Sequence, residues 1–251
     1  MDFFLPNPIN IEYGAGGRQL REPVCTSSPS PMIHLQSLYL SLSLAFYLQI
    51  QLLITSGIVA IFVFNEDVQE YIYHNMLPFY ISMGLLIPLS LAVSCIQALR
   101  RKVPLNYIVL IVFTVLESIC LGYITSLAEP MKVIVLIALG ITAGMVAVLC
   151  IFAMQTRFDF TVCNAAIVIV SVLLLVLGLV AIFVRNRIFF IALSCLGVLA
   201  ASLYLVYDIQ LMMGNKRYTI HVDEYTFGAL NLYFDIALMF TQILNLLEAS
   251  D

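Results

Sequence analysis

The sequence predicts an all-α, polytopic membrane protein with seven transmembrane helices, and three observations lead to this prediction. Hydrophobic residues make up 62% of the 251 positions and charged residues only 10%, whereas soluble domains carry about 25% charged residues. Apolar runs of about twenty residues, the length that a helix needs to cross the hydrocarbon, recur along the chain. Short connectors that carry the charge separate these runs.

The elements follow in order from the apolar runs and the breaks between them. The chain begins with the segments PNP, GAGG and SSPSP and has no apolar core there. We therefore predict a disordered N-terminal tail at residues 1–37, followed by a seven-helix transmembrane domain at residues 38–251. The predicted spans are Ser43–Phe64, Leu77–Leu99, Tyr107–Leu127, Val133–Met154, Val162–Val184, Ile188–Met213 and Phe227–Leu247.

The distribution of Lys and Arg predicts the orientation of these helices. None of the 11 basic residues lies within a predicted span. Eight lie in the tail and the even-numbered connectors, namely Arg18, Arg21, Arg100, Arg101, Lys102, Arg157, Lys216 and Arg217. Three lie in the odd-numbered connectors, namely Lys132, Arg185 and Arg187. Because basic residues concentrate in cytosolic connectors, we expect a cytosolic N-terminus and, with seven spans, a C-terminus on the opposite side.

Three acidic residues, Glu117, Asp208 and Asp235, lie inside predicted spans that contain no basic residue. An ionised carboxylate in the bilayer core costs several kcal/mol, and about 2.5–3.5 kcal/mol is the low estimate for Asp. Such residues usually mark a pathway for ions or protons, or an internal polar contact. Thr114 lies about one helical turn before Glu117, and the sequence suggests no partner for Glu117.

Asp208 and Asp235 are predicted to meet at similar depth. Asp208 lies six residues before Gly214 and Asp235 eight residues after Phe227, which places them about 9 and 12 Å from the same membrane face. Each lies on a polar stripe of its helix, formed by Ser194, Gly197, Ala201, Tyr204 and Asp208, and by Gly228, Asn231, Asp235, Gln242 and Asn245. Two carboxylates at low dielectric share a proton or bind a cation, and their hard oxygen ligands suit Ca²⁺. The alternative is that each acid is protonated and only forms a hydrogen bond between helices.

Five segments carry a resemblance to a known family. They are RKVPLNY (Arg101–Tyr107), FTVLESICLGYI (Phe113–Ile124), QTRFDFT (Gln155–Thr161), LVYDIQLMMGNKRY (Leu205–Tyr218) and EYTFGALNLYFDI (Glu224–Ile236). Together they resemble the Bax inhibitor and Lifeguard family, the transmembrane Bax inhibitor motif proteins, and most closely its Lifeguard branch. The resemblance extends over residues 52–247.

The resemblance implies a seven-helix fold in which the last helix is central. It also implies a pH-sensitive Ca²⁺ leak across membranes of the endoplasmic reticulum, the Golgi or the cell surface, and suppression of apoptosis. Two aspartates form the pH sensor in bacterial relatives, and they match Asp208 and Asp235. An arginine at the end of the second helix holds that pair, and it matches Arg100 or Arg101.

The leading hypothesis is therefore a pH-sensitive Ca²⁺ leak channel of endoplasmic reticulum or Golgi membranes, with the plasma membrane as an alternative. The gate would be the pair Asp208 and Asp235, which would also bind Ca²⁺ transiently. We expect no cofactor, since Ca²⁺ is the transported ion, and we expect the bilayer and cell-death regulators or Ca²⁺ channels as partners. Candidates for the ion pathway are Glu117, Tyr204, Asn231 and Gln242.

Other functions were weighed against this one. A non-conducting regulator that binds cell-death or channel proteins within the bilayer is the main alternative. Tyr207–Asp208 resembles half of an intramembrane aspartyl protease, but Asp235 follows LYF rather than the glycines of GxGD, so we expect no enzyme. A retinal protein is excluded because no predicted span contains a lysine, and the net charge of −4 predicts no contact with nucleic acid.

Overall fold

The computed structural model describes residues 31–127, 132–156, 158–184, 186–213 and 225–250, and in this part of the chain it contains helices and no strand. The helices are α1 (Pro31–Phe64), α2 (Glu66–His74), α3 (Leu77–Cys95), α4 (Gln97–Arg101), α5 (Leu105–Leu127), α6 (Lys132–Gln155), α7 (Asn164–Phe183), α8 (Arg187–Met212) and α9 (Tyr225–Ser250). A 3-10 turn, Phe160–Cys163, precedes α7. The predicted all-α class is confirmed.

Six of these helices, α1, α3, α5, α6, α8 and α9, are long and apolar enough to cross a membrane, as judged by length and composition. The apolar part of α7, Ala165–Ala181, is shorter than the 18 residues that define such a helix. The predicted fifth span therefore forms a helix, but the structure supports six to seven spanning helices rather than a firm count of seven.

Two predicted boundaries differ from the structure by four or more residues. The second predicted span was expected to run to Leu99, but α3 ends at Cys95 because Ile96 has an extended backbone that separates α3 from α4. The helix α1 begins at Pro31, so residues 31–37 of the predicted tail belong to it. Residues 1–30 lie outside the described part of the chain, and their disorder stays a prediction.

The short helix α2 lies in a segment that was expected to be a connector. The side chain of Asn65 caps it by accepting hydrogen bonds from the backbone N–H groups of Asp67 and Val68 at 3.0 and 3.3 Å. Two acidic residues in its first turn also suit the positive end of the helix dipole. Hydropathy missed this helix because its mean composition is polar, and only Gln69 and Ile72 are buried.

The last helix is central, as the resemblance implied. Among the described elements, α9 packs against α1, α5, α6 and α8, and α5 and α9 are the most buried of the six long helices. One apolar cluster joins Leu232 and Met239 of α9 to Leu205 of α8. A second cluster joins Tyr233 of α9 to Phe113 of α5. Because α9 contributes to both clusters, a change in its position affects most of the bundle.

Candidate functional site

The structure brings together two of the acidic residues predicted to form a site. Asp208 of α8 and Asp235 of α9 hydrogen bond to each other through their side chains. Both are buried, with 9% and 5% of their surfaces exposed. A hydrogen bond between two carboxyl groups requires a proton on one of them, because an ionised carboxylate can only accept.

Small residues allow α8 and α9 to approach closely on either side of this pair. A Cβ atom built on Gly197 would lie 2.6 Å from Cδ of Gln242, and one built on Gly228 would lie 3.1 Å from Cε of Met212. Side chains of the facing helix therefore occupy the space that larger residues would need. Small residues at helix interfaces are typical of close packing in membranes, and here they hold the two aspartates within reach of each other.

One oxygen of the pair depends on a partner other than an ordinary donor in the described part of the chain. Oδ2 of Asp235 is buried and receives no hydrogen bond from an N–H or hydroxyl group there, which leaves the Asp208 carboxyl group as its protein partner. Such atoms are uncommon in native structures, because leaving a polar group unsatisfied costs free energy. No group of three or more His, Cys, Asp or Glu side chains among the described residues could hold a metal ion. The carboxylates available to a cation here are therefore those of Asp208 and Asp235.

The two arginines predicted as partners of the pair lie on α4. The guanidinium carbon of Arg100 lies 5.0 Å from the ring centroid of Phe227, which belongs to the first turns of α9. This cation–π contact joins α4, which follows the second span, to α9 about two helical turns before Asp235. Arg101 is exposed at the end of α4. That either arginine holds the aspartate pair stays a prediction.

The four residues predicted for an ion pathway lie in different places. Tyr204 and Gln242 line a cavity of about 970 Å³ between α7, α8 and α9, which we call the α7–α9 cavity. Asn231 is half-buried on α9, one turn before Asp235. Glu117 is half-buried on α5 and is not among the residues that line the cavity. Other residues in the wall of the cavity are Ser171, Ser194, Gly197 and Asn245.

A buried polar network between α1, α5 and α9 was missed by the sequence analysis. Gln51 Nε2 donates to Thr114 Oγ1 at 3.1 Å, and Ser118 Oγ donates to Thr55 Oγ1 at 2.9 Å. The hydroxyl groups of Thr55 and Tyr233 lie 2.7 Å apart. The sequence did contain a signal for this network. Gln51 and Thr55 are four residues apart, as are Thr114 and Ser118, so each pair of polar side chains lies on one face of its helix.

We expect Tyr233→Phe to lower the stability of the folded protein by about 0.5–1.5 kcal/mol, because it removes the buried hydrogen bond between α9 and Thr55, while Thr55 keeps its bonds to the Gln51 carbonyl and to Ser118. Thermal unfolding in detergent measures this change. Tyr204→Phe is the matched control, since its hydroxyl bonds to an exposed residue, Ser171, at 2.8 Å. Equal destabilisation by both substitutions would contradict a special role for the buried network.

Comparison with known proteins adds to these observations. Residues 36–251 match the model of a protein family described as inhibitor of apoptosis-promoting Bax1. Protein lifeguard 3 of Mus musculus is 36% identical to the chain over 208 residues, which cover 81% of the chain and 67% of the relative. Protein lifeguard 3 of Homo sapiens is 36% identical over 204 residues, with 80% and 65% covered.

A viral protein is also similar. The Golgi anti-apoptotic protein of Vaccinia virus (strain Lister) is 27% identical over 206 residues, which cover 80% of the chain and 81% of the relative. The chain spans about two thirds of the length of the two lifeguard proteins, at 67% and 65%. The match to the family model extends over residues 36–251 and so includes both aspartates of the pair.

Proposed function

The chain belongs to the Bax inhibitor family, and on this premise we propose that it is a pH-sensitive Ca²⁺ leak channel of intracellular membranes with an anti-apoptotic role. The observation that carries the proposal is the buried hydrogen bond between Asp208 and Asp235 at the contact of α8 with the central helix α9. Two carboxyl groups in such a place respond to pH by exchanging a proton, and their oxygens can contact a passing Ca²⁺.

The proposed gate works through the position of α9. While the pair is hydrogen-bonded, it braces α8 against α9, and the end of the bundle near Gly228 stays closed. A change in the protonation of the pair alters both this hydrogen bond and the charge of the site. The two helices then separate, and Ca²⁺ crosses the membrane along its concentration gradient. Since α9 also packs on α1, α5 and α6, a small displacement there is passed to most of the bundle. No energy source is required for such a leak.

Two further features support this gate. Oδ2 of Asp235 is buried and receives no hydrogen bond from an N–H or hydroxyl group among the described residues, so the Asp208 carboxyl group, a water molecule or a cation would satisfy it. Arg100 lies against Phe227 at the start of α9 and is the better placed of the two candidate arginines to respond when that helix moves. Because the pair offers only two carboxylates within the described part of the chain, we expect Ca²⁺ to bind weakly and to leave readily, as conduction requires.

The anti-apoptotic role and the compartment rest on the relatives. The family is described as inhibitor of apoptosis-promoting Bax1, and one relative is a Golgi anti-apoptotic protein. We therefore extend the proposal to the Golgi or the endoplasmic reticulum, whose Ca²⁺ stores a leak would lower. Cell-death regulators or Ca²⁺ channels are the partners that this role implies.

Ca²⁺ flux from proteoliposomes over a series of pH values tests the proposal. We expect flux above that of empty liposomes for the wild type, with a pH dependence that Asp208→Asn and Asp235→Asn each abolish or shift, because an amide does not titrate. Thr241→Ala is the matched control, since its hydroxyl donates to the Ala237 carbonyl of its own helix α9, and it should keep the wild-type pH dependence. Thermal unfolding in detergent confirms that each variant is folded.

The absence of flux from folded wild-type protein would exclude the channel. A non-conducting regulator that binds cell-death or channel proteins within the bilayer would then be the remaining candidate. Flux whose pH dependence is the same in the wild type and in both asparagine variants would keep the channel but remove the aspartate pair as its sensor.

A further inference from the structure

The α7–α9 cavity runs along the contact between α8 and α9 toward the aspartate pair. Its wall extends on α8 from Arg187 to Tyr204, which corresponds to about 26 Å of helix. At its inner end, Tyr204 lies one helical turn from Asp208, and Phe234 is adjacent to Asp235 in the chain. The cavity therefore begins at the C-terminal end of α9 and ends within one turn of both carboxyl groups.

The wall of the cavity carries polar side chains among apolar ones, at depths where the outer surface of the bundle is apolar. Gln242 and Asn245 of α9 line it, and their side-chain amides make no hydrogen bond with another described residue. Ser194 of α8 lines the same stretch. An amide that faces hydrocarbon without a hydrogen-bond partner costs several kcal/mol. Water in the cavity would satisfy these amides, whereas a lipid acyl chain would not.

The position of the Gln242 amide depends on one glycine of α8. The side chain of Gln242 lies over Gly197, where a Cβ atom would be only 2.6 Å from its Cδ. The amide is therefore held at the middle of the cavity by close packing. Its carbonyl oxygen, like that of Asn245, is a hard oxygen ligand of the kind that Ca²⁺ contacts.

Two charged side chains lie at the outer end of the cavity. Arg187 Nε donates to the backbone carbonyl of Ala249 at 2.6 Å, and so it satisfies one of the last carbonyl groups of α9. Glu248 lines the same end and is exposed. The positive charge is thus held on the negative end of a helix dipole, while the carboxylate stays accessible to cations.

We propose that the α7–α9 cavity is a hydrated vestibule through which water and hydrated cations reach the aspartate pair from the C-terminal end of α9. The route for cations rests on the proposed function, whereas the hydration of the cavity can be tested without it. By the distribution of Lys and Arg, this end faces away from the cytosol, which is the side of a Ca²⁺ store. The vestibule therefore supplies the entrance, and the aspartate pair lies at its inner end.

Cysteine accessibility tests the vestibule. Gln242→Cys and Asn245→Cys are each reconstituted into liposomes and exposed to a membrane-impermeant, positively charged methanethiosulfonate reagent. Mass spectrometry of the intact protein counts the adducts beyond those of the six natural cysteines in the wild type. The matched control is Leu199→Cys on α8, at a depth close to Gln242. Leu199 is 63% exposed on the surface of the bundle and does not line the cavity.

We expect both cavity cysteines to gain one adduct at least about tenfold faster than Leu199→Cys. The charged reagent stays in water, and the thiolate, which needs water to form, attacks its sulfur and releases methanesulfinate to give a mixed disulfide. Reaction at the rate of Leu199→Cys for both cavity positions would overturn the proposal and indicate that lipid fills the cavity. This result is independent of flux, so a labelled cavity without Ca²⁺ flux would reject the channel and keep the vestibule.

Discussion

Replacing Asp235 with alanine is expected to raise Ca²⁺ flux and make it insensitive to pH, whereas replacing it with asparagine is expected to keep flux low and insensitive. The difference lies in the hydrogen bond to Asp208. An asparagine amide can donate to the Asp208 carboxylate at every pH, so the brace between α8 and α9 remains. Alanine cannot donate, and the brace is lost.

The size of the effect follows from the strength of the lost bond. A hydrogen bond to a charged group contributes about 1.5–3 kcal/mol, which corresponds to a change of about ten- to hundredfold in the ratio of closed to open protein. We therefore expect a rise in flux within this range for Asp235→Ala. Initial rates of Ca²⁺ release from proteoliposomes, at equal amounts of folded protein, measure it.

The control for this experiment is another polar residue of α9. Thr241→Ala removes a half-buried hydroxyl that donates to the Ala237 carbonyl of its own helix at 2.9 Å. It should leave both flux and its pH dependence close to the wild type. If alanine and asparagine at position 235 gave the same flux, the hydrogen bond would not be the gate, even if the carboxylate mattered to the ion.

The long helices could be predicted from the sequence because the bilayer imposes a simple constraint. Every backbone polar group must be satisfied within its own helix, so spans appear as uninterrupted apolar runs of fixed length. The predicted third span, Tyr107–Leu127, and α5, Leu105–Leu127, end at the same residue. The meeting of Asp208 and Asp235 followed from the same regularity, because the rise per residue converts a position in the chain into a depth.

Features that depend on neighbours in space could not be predicted in this way. The helix α2 is polar in composition and owes its start to the Asn65 cap. The four predicted pathway residues were grouped by their polarity and their positions within predicted spans. The structure places Tyr204 and Gln242 on the α7–α9 cavity but Glu117 on α5. Periodicity gives the face of a helix, but it does not say which helix that face meets.

The buried network shows the same limit. Thr55, Ser118 and Tyr233 are ordinary residues of transmembrane helices when each is considered alone. Thr55 and Ser118 also bond to backbone carbonyl groups of their own helices, at 2.9 and 2.6 Å, which is the usual way for such residues to be satisfied. Their bonds across α1, α5 and α9 depend on the register of three helices, which the hydropathy pattern leaves open.

Gly197→Val is expected to lower the stability of the folded protein. Among the glycines of the described bundle, only Gly122 is as tightly packed, since its Cβ would lie 2.7 Å from the ring of Phe62. At Gly197, three atoms of Gln242 lie within 2.8 Å of the Cβ position. The larger side chain must displace Gln242 or separate α8 from α9. Overpacking of this kind costs about 1–3 kcal/mol, or about 3–10 °C in the unfolding midpoint of a chain of this size.

Gly178→Val on α7 is the matched control, because Gly178 lines the same cavity and has nothing within 4 Å of its Cβ position. We expect its unfolding midpoint in detergent to stay close to that of the wild type. Equal losses at both positions would show that the backbone freedom of glycine, rather than the contact between α8 and α9, determines stability here. A loss confined to Gly197→Val would tie the stability of the bundle to the contact that holds the two aspartates together, so the gate and the fold would depend on the same pair of helices.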